Sequence, residues 1–126
     1  MEDTLEADGV YSDIESVESE DFEWGAKKTL VNARLMSEAE LTFAIVWMLP
    51  GQEEPLHAHP NCEQIVHVLS GEAEFRLHDA LYNLVAGDTI RVPRGVAHNA
   101  MASGWEPLKM AVCQSSPAVQ TQNIAE

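Results

Sequence analysis

Glycine and proline break this chain about every ten residues from Pro50 onward, and that spacing leaves room for strands but not for ordinary helices. The breaks fall at Pro50-Gly51, Pro60-Asn61, Ser70-Gly71, Ala86-Gly87-Asp88, Pro93-Arg94-Gly95 and Ser103-Gly104. Short apolar runs lie between them. Read as strands, these are Thr29–Met36, Leu41–Leu49, Gln64–Leu69, Ala73–Leu77, Ala80–Val85, Thr89–Val92, His98–Ala102 and Leu108–Gln114. Helical periodicity shows only over Ser37–Leu41, too short to matter. Many short strands with regular turns predict an all-β sandwich or barrel. At 126 residues the chain fits one domain. A chain of this size buries roughly two thirds of its unfolded surface, enough for a core without disulfides.

The formal net charge is −14, and it is unevenly spread. Residues 1–23 carry ten acids and no Lys or Arg, while the rest holds eleven acids against all seven basic residues. Like charges repel and few apolar groups are there to bury, so 1–23 reads as a solvated acidic arm and 24–126 as the folded domain. A competing reading lays Val10–Val17 along the barrel wall or a partner. The charge balance argues against nucleic acid and against anionic membranes, which both need a positive face. No apolar run approaches the roughly 18 residues of a membrane span. The chain starts acidic rather than basic and then apolar, unlike a secretory leader, so a cytoplasmic location is the expectation. Cys62 and Cys113 stand far apart without a CxxC pair and read as free buried thiols.

Three of the five histidines sit beside turn signals. His57 and His59 are two apart, which on a strand points both imidazoles to one face. Two imidazoles on one face are half of a metal site if more donors converge on them. His98 follows the Pro93-Arg94-Gly95 turn on a later strand, and a closed barrel can bring that strand beside the first pair.

Here the chain resembles the cupin superfamily. The first cupin motif reads G-x5-H-x-H-x(3,4)-E-x6-G, and Gly51, His57, His59 and Gly71 fill it in register. The second reads G-x5-P-x-G-x2-H-x3-N, and Gly87, Pro93, Gly95 and His98 fill that. The resemblance covers about Leu41 to Gln114. It implies a single antiparallel β-barrel of the jelly-roll, double-stranded β-helix type. It also implies one divalent metal ion held by His57, His59 and His98 with a fourth ligand. At the position of the motif's glutamate, the gaps counted from both His59 and Gly71 lead to Gln64, while Glu63 fits only the shorter forward gap. Neighbouring strand residues face opposite ways, so Gln64 is the expected ligand and Glu63 faces away. Ala102 replaces the motif's asparagine, a structural position.

His67 has the opposite strand parity to Gln64, and His78 lies near a turn, so neither is expected to bind metal. Phe43 and Trp47 share one strand face, as core packing or as a pocket wall. Cys62, close to the ligand loop, reads as packing, with the pocket mouth as the alternative. Arg76 and Arg91 read as surface residues or as partners of an anionic substrate. No dedicated acid–base residue can be placed in the pocket from the sequence.

Imidazole suits Zn, Fe, Mn, Ni and Cu alike, so these ligands do not name the metal. Four neutral donors leave the ion its full charge and leave positions open for a small oxygen-rich substrate. Cupins with such sites include lyases, isomerases and dioxygenases, and others bind sugars or metabolites without catalysis. Small cupins commonly pair, so a homodimer is expected, with Thr29–Met36 as an edge that needs cover.

Overall fold

Alternation of apolar and polar residues builds two antiparallel sheets that face each other across one core. The computed structural model describes residues 7–125. A single helical turn, α1 (Ala7–Val10), precedes eleven strands. They are β1 (Glu20–Phe22), β2 (Gly25–Val31), β3 (Thr42–Met48), β4 (His57–Ala58), β5 (Gln64–Ser70), β6 (Glu72–Leu77), β7 (Ala80–Val85), β8 (Thr89–Val92), β9 (His98–Ala102), β10 (Leu108–Gln114) and β11 (Gln122–Asn123). One sheet runs β1-β2-β3-β10-β5-β8 and the other β11-β4-β9-β6-β7. This is the expected jelly-roll barrel. Among the described residues, no helix is long and apolar enough to cross a membrane.

The core forms where the inward parities of both sheets meet. Val46 and Met48 of β3, Val66 and Val68 of β5, Phe75 of β6, Ala100 and Ala102 of β9, and Leu108 and Met110 of β10 belong to it. Each fully buried aliphatic or aromatic side chain contributes roughly 1.5–3 kcal/mol. Ala102, at the motif's asparagine position, is 1% exposed in this core, so an apolar residue suits its surroundings. Gly71 joins β5 to β6 with φ +78°, and a Cβ there would lie 2.5 Å from the Pro107 carbonyl oxygen. Both the backbone angle and the close approach require glycine.

Several element boundaries differ from expectation. The strand expected at Thr29–Met36 instead spans Gly25–Val31. Asn32 ends it: its side-chain oxygen accepts the Leu35 N–H at 2.9 Å, and its carbonyl accepts the Met36 N–H at 2.9 Å. That is the local turn chemistry that lets asparagine outcompete a ladder. One edge of the larger sheet is β1, which pairs with β2 from Glu20 to Phe22, inside the stretch expected to be a solvated arm. Phe22 stacks on Trp24 with ring centroids 4.8 Å apart. Further back, Lys28 Nζ donates to the Ile14 carbonyl at 2.7 Å. Residues 1–6 of the acidic stretch lie outside the described residues.

Phe43 and Trp47 neither fill the core nor wall the cavity. Ala44 and Val46 take the inward parity of β3, which leaves the two aromatics half-buried on the outer face of the sheet. There Lys109 Nζ sits 5.8 Å from the Trp47 ring centre.

Candidate metal centre

The turn after β3 places the histidines. Residues 51–54 run alongside β9, with the Gly51 N–H on the Ala102 carbonyl (2.8 Å) and the Glu54 N–H on the Ala100 carbonyl (3.0 Å). This pairing delivers β4 in register, so that His57 lies directly opposite His98. His59 follows one residue beyond β4. One ring nitrogen from each of His57, His59 and His98 lies within 4.8 Å of the others, and ring centroids are 4.3–5.1 Å apart.

Backbone carbonyls fix which nitrogens face inward. His57 Nδ1 lies 2.7 Å from the Pro55 carbonyl, His59 Nδ1 3.0 Å from that of Gln120, and His98 Nδ1 2.9 Å from that of Val96. A carbonyl only accepts, so each Nδ1 carries the proton and donates, and each Nε2 keeps a lone pair. Such partners to ligand histidines orient the ring and raise its basicity toward a metal. Burial is the main cause that holds all three imidazoles below their usual pKa, and it pushes His98, with His57 beside it, down to about 4. The rings are neutral at neutral pH, the state that binds metal. Converging lone pairs in a neutral, pre-oriented triad, two of its rings buried and His57 half-buried, fit one divalent ion.

Gln64 reaches the same point from β5. It is 6% exposed, and its Nε2 lies 3.3 Å from His98 Nε2. Its Oε1 accepts from Gln114 Nε2 at 2.7 Å, and Gln114 Nε2 is in turn 3.5 Å from His59 Nε2. A half-turn of the Gln64 amide exchanges its N–H group for Oε1 at the triad. Glu63 points the other way and binds Arg91 Nε at 2.6 Å on the surface. His67, on the outer parity, meets Thr89 Oγ1 at 2.7 Å, and exposed His78 faces Asp79 at 3.4 Å. Neither approaches the triad. Cys62 and Cys113 are free thiols, and Cys62 is packed at 1% exposure rather than at the cavity mouth.

His57, His59 and Gln64 line a cavity of about 450 Å³, with His98 fully buried behind them. Phe22, Trp24, Val46, Phe75, Met110 and Val112 give it an apolar wall, and Lys27, Glu54, Gln114 and Thr121 add polar points. Arg76 and Arg91 do not line it. Four features of this site lie outside the sequence expectations. Gln114 shares the inward parity of Met110 and Val112, so a polar residue in that series is the available signal. Lys27 falls before the expected start of its strand. Gln120 and Thr121 fall beyond the expected last strand, yet β11 pairs with β4 at His57 and Ala58. Glu54 is a titratable group that the sequence does not place in the pocket: it lines the cavity, and burial pushes its carboxyl up to about 7 against the lowering pull of the Ala100 N–H and Lys27.

The sequence profile of the cupin domain matches residues 44–113, more than half of the chain. The chain is a member of the cupin family. This cupin is 31% identical over 80 residues to the rhicadhesin receptor of Pisum sativum, covering 60% of its own length and 37% of the relative's. It is 32% identical over 88 residues to quercetin 2,3-dioxygenase of Bacillus subtilis, covering 68% of itself and 26% of that enzyme. Among solved structures, oxalate decarboxylase of Lactobacillus farciminis in complex with formate superposes with a TM-score of 0.80 at 23% identity, over 87% of this cupin and 34% of that chain. That similarity is one of fold. This cupin thus spans well under half the length of these relatives.

Proposed function

We propose that this cupin is a divalent-metal-dependent enzyme acting on a small oxygen-rich metabolite (a sugar acid, keto acid or diketone) by lyase or isomerase chemistry. The observation that carries this is the neutral triad, two of whose rings line a cavity far larger than an ion needs. His57, His59 and His98 hold the metal, and Gln64 supplies the fourth donor. A divalent ion among neutral donors keeps its double charge and supplies Lewis acidity toward a substrate oxygen. The apolar wall excludes water and holds the carbon body of a substrate, while Lys27 offers a positive end for an acid group. The similarity to quercetin 2,3-dioxygenase, together with the aromatic wall, supports dioxygenase chemistry as a second reading. Elemental analysis of protein purified without a metal column, followed by turnover of a uronate, keto-acid and diketone panel, tests both. Zinc, nickel or manganese with anaerobic turnover supports lyase or isomerase work, and iron with oxygen uptake supports the second. Bound metal with no turnover makes the chain a binding protein, the role that the receptor relative's name suggests.

Gln64 gives this reading a sharper test. Gln64→Glu replaces a neutral carbonyl donor with a carboxylate, a better donor for a hard cation. Metal retention should hold or rise while turnover falls, because the ion loses about one unit of effective charge and polarises substrate less. Glu63→Gln removes only the exposed pair with Arg91, worth roughly 0–1 kcal/mol, and should leave both quantities unchanged. Metal loss in Glu63→Gln with a silent Gln64→Glu would reverse the assignment.

A further inference from the structure

Among the groups on the cavity wall, Glu54 has no part in holding the metal. Its oxygens are not among the ligand atoms that cluster within 4.8 Å. It is held in place all the same. The Glu54 N–H and the Ala100 carbonyl pair at 3.0 Å, the Glu54 carbonyl takes Asn99 Nδ2 at 3.0 Å, and the Ala100 N–H donates to Glu54 Oε1 at 2.9 Å. Oε2 has no protein donor among the described residues. A half-buried carboxylate, fixed through one oxygen and facing a cavity, is costly to ionise there, and an acid so perturbed in a cleft is suited to proton transfer.

We propose that Glu54 is the catalytic proton-transfer group of this cavity, moving a proton between solvent and the carbon next to a substrate carbonyl. The inference rests on the metal-dependent reading above and deepens it, narrowing the substrate to compounds with an enolisable C–H beside an oxo group. In the step, Glu54 takes the proton from carbon. The C–H electron pair becomes the new C=C bond, and the carbonyl π pair moves onto oxygen. Return of a proton from the Glu54 carboxyl to the same carbon completes an exchange, and return to another carbon completes an isomerisation. No oxidant or reductant is consumed. The charged and titratable groups around the same space are Lys27 of β2, Glu20 of β1, His57 of β4 and His59 beyond it. Lys27 pulls the Glu54 carboxyl down, and burial outweighs it, which leaves the group near the neutral pH at which a base and its conjugate acid are both available.

The test uses zinc-loaded full-length protein and 2-oxobutanoate in D2O, with loss of the C3 hydrogens followed by proton NMR. Wild type should exchange them faster than free zinc does. Glu54→Gln, which keeps an oxygen for the Ala100 N–H, should slow the exchange about 100-fold or more with zinc content and melting temperature unchanged. Glu54→Asp should fall between the two. A second readout needs no substrate: in metal-free protein labelled with 13C at glutamate carboxyls, one carboxyl should titrate near neutrality and vanish in Glu54→Gln. Equal exchange in wild type and Glu54→Gln overturns the inference and spares the metal-enzyme reading. So does a Glu54 carboxyl that titrates in the ordinary range, or zinc lost from Glu54→Gln, which would make it a ligand. No exchange by zinc-loaded wild type overturns the inference together with the keto-acid reading.

Discussion

His98→Ala should cost this protein its metal. The ring is 0% exposed, its Nδ1–H is bound to the Val96 carbonyl, and its Nε2 faces both Gln64 and the other two histidines. Removing outer partners of metal ligands alone weakens affinity about 10–100-fold, so removing a ligand should exceed that range. The variant should also melt lower. The imidazole packs parallel to Phe75, with centroids 6.0 Å apart, and a buried side chain cut back to alanine costs roughly 2–5 kcal/mol. His67→Ala is the control, because that ring lies on the outer parity of β5 against Thr89. Metal content per chain and a thermal melt read both effects. Stoichiometric metal in His98→Ala at wild-type affinity would rule out the triad.

Removing residues 119–126 should weaken metal binding about 10–100-fold while leaving the two-sheet core folded. The deletion takes away β11, whose ladder with β4 runs through His57 and Ala58. It also removes the Gln120 carbonyl and Thr121 Oγ1, which lie 3.0 and 3.3 Å from His59 Nδ1. Without them nothing fixes the His59 tautomer, and Nε2 is no longer held toward the other two rings. None of the core residues between the sheets lies in the deleted segment. Gln120→Ala should be silent, because the main-chain oxygen makes the contact and survives the substitution. Zinc competition against a chromophoric chelator measures all three proteins. Unchanged affinity in the truncated chain would show that the segment is no strap.

The histidine triad is legible in the amino-acid sequence. Its members occupy fixed places in two motifs, and strand parity alone sends His57 and His59 to one face. Parity likewise separates Gln64 from Glu63: the first is buried against His98, the second paired with Arg91 in solvent. The strand expected to run on to Met36 stops at Val31 because Asn32 makes a local turn stronger than the apolar run around it, a competition that β propensity does not register.

What the sequence by itself determined is therefore the strand-rich fold, most of the turns and, through the two motifs, the three histidines of the candidate metal centre. Alternation and turn chemistry are local, so they can be read along the chain. Only the tertiary structure decided what surrounds the histidines. Gln114 meets Gln64 across fifty residues of chain, Gln120 meets His59 across sixty-one, and Glu54 owes its pKa to enclosure that no neighbour in sequence announces. Tautomers, cavity walls and desolvation arise when distant strands close on one another, and the free energy of each depends on the whole enclosure rather than on any segment that contributes to it.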